Sequence, residues 1–410
     1  MQSLAVINKK MILGMADSQR FDNLFAWMSE SNAISVINQS SQELANPGIK
    51  YIAATRLGAC TSPESLDALL IASQGERADI FERITRRKAI EALGRRKDAS
   101  TLSVIMDALH SDDEPTVVNS IDSLISIGLP LNHQSKTVLC KCLFHHSTVV
   151  SRAAIQCLNR LGVDEFSADI AQLEVHSDHL VSGAALAYSV QFTRSQEKLD
   201  LLCSRLLNPV VAVRRAAVID LGDAGHEACL PYLALSPVSM PLRAKSALRI
   251  TGTAHRHIFD ANLEKILVDD ARYLSYPADM SEPASTEEIV GYLRHRDEGK
   301  QYLSAKKLLE LDKSEQTSAL SDVWTEYGSD YGVHYLITSI ISLARQTDLA
   351  HIAIEALNNK EPQYAKSRIA AVWACLNLGL VDQRPAIERL FLETKWEPLK
   401  ITCFNALKLL

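Results

Sequence analysis

Side chains able to do chemistry concentrate in one short stretch, WTEYGSDYGVHYL at residues 324–336, of a chain that is only 6% aromatic. Trp324, Tyr327, Asp330, Tyr331, His334 and Tyr335 bring together flat faces, phenol and imidazole protons, and a carboxylate. Gly328 is expected to end one helix and Ser329 or Asp330 to cap the next, so these groups gather at a corner between helices. Such a set suits a large conjugated ligand that has to be protonated. The alternative is structural, with Asp330 only a cap and the tyrosines only packing.

Arginines form the second candidate group. Arg87, Arg152, Arg214 and Arg215 recur at similar places in a repeated pattern, and Arg83, Arg86, Arg87, Arg95 and Arg96 make the densest basic run. A planar guanidinium fork fits two carboxylate oxygens, so these residues can take an acidic ligand. Equally, they can pair with an acidic residue of the neighbouring repeat or with helix-end carbonyls. Cys140, Cys142, His145 and His146 are the tightest metal-like cluster. On one helix Cys142 and His145 share a face while Cys140 turns away, so a closed four-ligand site needs distortion and no metal is expected. His255 and His257, beside Arg256, fit a solvated loop. The chain has no phosphate-cradling Gly-rich loop, His-Glu-x-x-His pair or nucleophile-elbow serine, which argues against ATPase, zinc protease and serine hydrolase chemistry.

Composition narrows the setting. With 43 Lys plus Arg against 49 Asp plus Glu, the net charge of −6 leaves no basic excess for a phosphate backbone, and nucleic acid is not an expected partner. A 47% hydrophobic and 22% charged chain folds, and 16 Gly with 13 Pro is sparse punctuation for an all-β protein. The eight cysteines sit mostly in Leu/Ala-rich helical patterns, as small core residues of a reducing compartment. Residues 1–14 lack a secretory pattern, and the longest apolar runs, such as 336–344, fall short of the roughly 18 residues that span a bilayer. A cytoplasmic protein without membrane insertion is expected.

The elements that position these residues show in a returning pattern: a branched residue, Arg or Lys, an Ala-rich turn, then Leu or Ile, often followed by Gly. It appears at 49–58, 85–94, 117–125, 150–159, 181–189, 213–222 and 242–250, with anchors Leu57, Leu93, Ile125, Leu158, Leu221 and Ile250. Each copy has a second apolar run beside it, so each unit of about 30 residues holds two helices. Such pairs cannot bury their apolar stripes alone, whereas stacking gives a continuous core. The expected fold is all-α, an α-solenoid of HEAT-like repeats with a less regular helical C-terminal region. Its expected parts are an N-terminal helical cap over 1–45, carrying Phe21, Phe25, Trp27 and Met28, and about seven repeats over 46–270. An irregular junction follows over 271–300, then a helical region over 301–410.

The repeats, especially ERITRRKAIEALG at 82–94 and VRRAAVIDLG at 213–222, resemble those of the E/F-type phycobilin lyases of cyanobacteria. YGSDYGVHYLITSI and the single chain near 400 residues look more like the phycoerythrin-directed branch. The resemblance implies an enzyme that joins phycoerythrobilin through a thioether to a cysteine of a phycoerythrin subunit, α by preference, with or without isomerisation to phycourobilin. The bilin is then substrate, no cofactor is needed, and the acceptor thiol belongs to the partner. On this resemblance Asp330 contacts the pyrrole nitrogens, and Tyr327, Tyr331 or His334 relays protons. Trp324 stacks on a ring, and Arg87, Arg152 and Arg215 hold propionates. Competing expectations are a non-enzymatic scaffold and a bilin chaperone that forms no bond.

Overall fold

The computed structural model describes residues 25–75, 78–250 and 256–410; Phe21, His255 and the side chain of His257 lie outside them. Among the described residues all regular structure is helical. The chain divides into two compact units, residues 1–192 and 193–410.

In the first unit the helices run in pairs: α1 (Glu30–Asn38) with α2 (Ile49–Leu57), α3 (Pro63–Ser73) with α4 (Ile80–Arg96), α5 (Leu102–Ala108) with α6 (Glu114–Ile127), α7 (His133–Leu143) with α8 (Thr148–Arg160), and α9 (Ser167–Gln172) with α10 (His179–Thr193). The second helices α2, α4, α6 and α8 each pack on their own partner and on the second helix of an adjacent pair. All the repeat copies at 49–189 fall in second helices. Their alanine pairs, such as Ala53–Ala54 and Ala153–Ala154, are buried. Close helix approach is also why Gly follows the anchor: a Cβ on Gly94 would lie 2.6 Å from Ser123 Cα of the next second helix. Leu57, Leu93 and Leu158 are fully buried, each worth about 2 kcal/mol of apolar burial. In α6 the buried anchor is Leu124, with Ile125 only half-buried, a one-residue shift set by Ser123 facing Gly94. Phe25–Met28 forms turns rather than helix, with Met28 buried and Trp27 exposed.

The second unit continues the scheme with α11 (Gln196–Ser204) and α12 (Val211–Ala224), then α13 (Leu230–Leu235) and α14 (Met240–Ile250). An additional helix, α15 (Arg256–Val268), breaks the rhythm, and residues 274–285 form no helix. Pairing resumes with α16 (Thr286–Leu293) and α17 (Glu298–Glu310), α18 (Lys313–Tyr327) and α19 (Tyr331–Ala344), α20 (Ala350–Asn358) and α21 (Ala365–Asn377), and α22 (Arg384–Glu393) and α23 (Glu397–Leu409). Gly222 of α12 meets α14 as Gly94 meets α6, its Cβ position 2.9 Å from Ser246 Cα. The α15 helix lies against α13, α14 and α21, and Trp373 Nε1 donates to Leu267 O at 3.0 Å. Among the described residues no helix is long and apolar enough to cross a membrane.

Candidate functional site

The corner between α18 and α19 forms as its turn residues dictate. The Gly328 N–H closes α18 on Trp324 O at 2.9 Å, and Asp330 Oδ1 accepts from the Gly332 and Val333 amides at 2.8 and 3.1 Å. His334, one turn into α19, is 2% exposed and stands between two aromatic rings. Its centroid is 4.9 Å from that of Trp324 and 4.5 Å from that of Tyr364. Tyr331 meets Tyr364 edge-on at 5.4 Å, and the Tyr364 hydroxyl donates to Ser329 O at 2.9 Å, fixing the corner from the next repeat. A cleft of about 360 Å³ opens here, lined among others by Trp324, Glu326, His334, Glu355, Asn359 and Tyr364.

Neither His334 ring nitrogen has a hydrogen-bond partner, and burial pulls its pKa down to about 4. At neutral pH it is therefore an uncharged imidazole with one N–H to give and one lone pair to receive. Unpaired polar atoms away from water are costly, so both are groups a ligand can satisfy. The register of the second helices makes this residue stand out. Arg214, Arg243, Gln301 and Arg368 are the fourth residues of α12, α14, α17 and α21, and each donates to at least one carbonyl of the loop ahead of its helix. His334 is the fourth residue of α19 and makes no such bond; Tyr364 holds the loop instead.

Tyr335 points elsewhere. Its hydroxyl donates to Asp269, a buried residue in left-handed conformation (φ 54°) directly after α15. The same carboxylate accepts from Tyr302 of α17 at 2.7 Å and forms an ion pair with Arg243 of α14. One carboxylate thus ties three second helices together. Burial, reinforced by Asp269, holds the Tyr302 and Tyr335 phenols well above their usual range. Lys366 sits 4.7 Å over the Tyr335 ring, and burial lowers its pKa.

Of the residues singled out in the sequence, the corner unites Trp324 and His334 in the cleft, with Tyr331 against Tyr364. Asp330 is the cap, with Oδ1 engaged. Tyr327 lies under the Arg294 guanidinium at 4.3 Å, and the Glu326 carboxylate raises its phenol pKa. The arginines are engaged in the frame. Arg87 turns its Nε–Nη2 edge on Asp113, which caps α6. Arg152 donates to Leu180 O. Arg215 grips Glu298 with Nε at 2.9 and 3.0 Å, and Arg214 pairs with Asp297. His145 and His146 follow the end of α7 at Leu143, so they do not share a helix face with Cys142. The cysteines are free thiols; burial pushes those of Cys203, Cys375 and Cys403 up to about 12, which makes them poor nucleophiles. Glu355, Asn359, Tyr364 and Asp269 were not anticipated. Tyr364 was findable, since it precedes α21 as Asp330 precedes α19, and stacked repeats bring such positions side by side.

Comparison with known proteins agrees with this architecture. Residues 78–159 match the HEAT repeats family. An uncharacterised phycocyanin operon protein Y of Pseudanabaena tenuis is 28% identical over 397 residues, 95% of this chain and 94% of that protein. The bilin biosynthesis protein CpeY of a Synechococcus species is 26% identical, over 80% of this chain and 81% of its own length. The resemblance to the E/F-type bilin lyases holds along the chain. The α-solenoid fold is matched in a solved structure, the complex of CpcE and CpcF of phycocyanin lyase from a Nostoc species. There the TM-score is 0.50 at 19% identity, over 58% of this chain and 93% of that one.

Proposed function

We propose that this protein is a phycobilin lyase, attaching a bilin through a thioether to a cysteine of a phycobiliprotein subunit. The observation that carries the proposal is His334, a buried uncharged imidazole with two unsatisfied nitrogens, set between Trp324 and Tyr364 on a cleft. Similarity to a bilin biosynthesis protein over 80% of this chain points to the chemistry such a site would serve. In that chemistry the acceptor's sulfur bonds to the ethylidene carbon of the bilin. The double-bond electrons move into the conjugated system, and the thiol's proton ends on the tetrapyrrole. Nothing is oxidised or reduced. Indole and phenol faces hold a ring, and the His334 nitrogens, with the Tyr327 or Tyr331 phenol of the same corner as a relay, pass the proton. Asp330 keeps Oδ2 for pyrrole N–H groups while Oδ1 caps α19.

The finer assignment follows the sequence resemblance: phycoerythrobilin is the bilin and a phycoerythrin α subunit the acceptor. Isomerisation to phycourobilin would add a proton removal and return at the same corner. Co-expression with the phycoerythrobilin-making enzymes and a phycoerythrin α subunit tests all of this. Colour that stays on the acceptor through denaturing electrophoresis is the expected result, and a blue-shifted spectrum would register isomerisation. An uncoloured acceptor in the presence of soluble, folded protein would leave a scaffold or a carrier as the function.

A further inference from the structure

The arginines named in the sequence for propionate binding are engaged elsewhere, but one arginine at the fourth helix position, the place held by Arg214 and Arg243 in their own helices, keeps an edge open. Arg368 gives Nη1 to the backbone oxygens of Asn359 (2.6 Å) and Glu361 (3.1 Å), just as Arg214 and Arg243 hold their own loops. Its Nε–Nη2 edge, the side that accommodates two carboxylate oxygens, meets no carboxylate among the described residues. In Arg214 and Arg243, at the same fourth position, Nη2 meets a carboxylate, that of Asp297 and of Asp269. Asp113 and Asp297 cap the second helices α6 and α17, whereas the cap of α23, which follows Arg368's helix, is Trp396.

Position adds a second argument. Asn359, whose carbonyl Arg368 holds, lines the corner cleft together with Trp324, His334 and Tyr364. The guanidinium is half-buried, and burial lowers its pKa, so it is poorly hydrated and gains much from an anion. The carboxylates at the cleft, Glu326 and Glu355, would repel a propionate, so such a group needs a cation beside them.

We propose that Arg368 is the carboxylate anchor of the cleft, its Nε–Nη2 edge holding a propionate of the bound tetrapyrrole. The assignment rests on the bilin function proposed above. It is tested by absorbance titration of the full chain with phycoerythrobilin as the free acid and as its dimethyl ester, which keeps the conjugated system and removes the charges. The native protein should prefer the acid by about tenfold. Arg368→Gln should bring that ratio to about one while leaving ester binding within about twofold. A merely structural role, through the 359–361 loop, would weaken acid and ester alike and leave the ratio unchanged. Arg368→Lys, which keeps charge but not the fork, should fall between, and it decides the matter if the Gln variant folds poorly by circular dichroism. Equal binding of acid and ester by the native chain overturns the assignment, as does a full acid preference in both variants, which would place the anion on another residue or on the acceptor protein. A native chain that binds neither form overturns the bilin function itself.

Discussion

Arg243 and His334 occupy the same position in their helices, the fourth residue, and are used in opposite ways. Arg243 pairs every nitrogen of its guanidinium: with the Val238 carbonyl of the preceding loop, the Ala234 carbonyl of α13, the Tyr302 hydroxyl and the Asp269 carboxylate. His334 satisfies nothing, and its rings of contact are aromatic rather than polar. One repeat spends the position on holding neighbours together; the other leaves donor and acceptor unused beside a cleft. Where a repeat departs from its own rule without a structural gain, a ligand is the natural recipient of what was left unpaired.

The largest expected effect breaks the first half of this contrast. Arg243→Met leaves Asp269 buried without the guanidinium paired to its charge, and should cost about 3–5 kcal/mol of stability, read as a lowered urea midpoint. Arg368→Met, at the equivalent place with no carboxylate to strand, should cost about 1 kcal/mol. Equal losses would mean that the register equivalence carries no energetic meaning.

These positions also mark how far the sequence could be read. The repeat copies fall in second helices because Ala pairs, branched residues and the Leu-Gly ending all report local packing, which repeats with every turn and every pair. The corner was legible for the same reason, since Gly328 and Asp330 act on their own backbone. What was not legible crosses between repeats. Tyr364 reaches back from the next pair to Ser329, and Asp269 sits where the pattern lapses, so no spacing tied it to Arg243, Tyr302 or Tyr335. Whether Arg87 held a ligand or a neighbour likewise depended on Asp113, 26 residues on.

The second test concerns His334 directly. Its pKa is about 4 in the folded chain against 6.5 when exposed, so the unfolded chain binds more protons in between. Stability is therefore fully present above pH 6.5 and falls as pH drops toward 4, by on the order of 2–3 kcal/mol from this residue. His334→Phe keeps the ring contacts and removes the titration. Its unfolding midpoint should change less across that window than the native one does, and at pH 7 it should be about 1 kcal/mol more stable, while ligation is lost. A variant with the native pH slope would show that His334 is hydrogen-bonded or charged in solution.

Smaller still is the loss at a paired arginine of the first unit. Arg87 and the Thr116 side chain and amide hold the Asp113 carboxyl down at about 2. Arg87→Ala should lower stability by about 1 kcal/mol and leave ligation by the folded fraction unchanged. Its contribution is present above the ordinary carboxylate range near 3.8 and is lost as pH falls toward 2, so native chain and variant should converge in acid. Reduced ligation at full folding would return Arg87 to the list of ligand-binding residues.

Asp330→Asn should have the least effect on stability, and that is what makes it informative. Asp330 has one structural task, accepting the Gly332 and Val333 amides through Oδ1, and Asn performs that task as an N-cap nearly as well as Asp. The melting temperature should therefore hold, with a change below about 0.5 kcal/mol. Asn cannot, however, carry the charge that would stabilise protonated pyrrole nitrogens, so acceptor colouring should disappear if Oδ2 serves the ligand. Unchanged colouring would confine Asp330 to the cap and move the ligand's carboxylate partner to Glu326 or Glu355, the two acidic side chains that line the cleft.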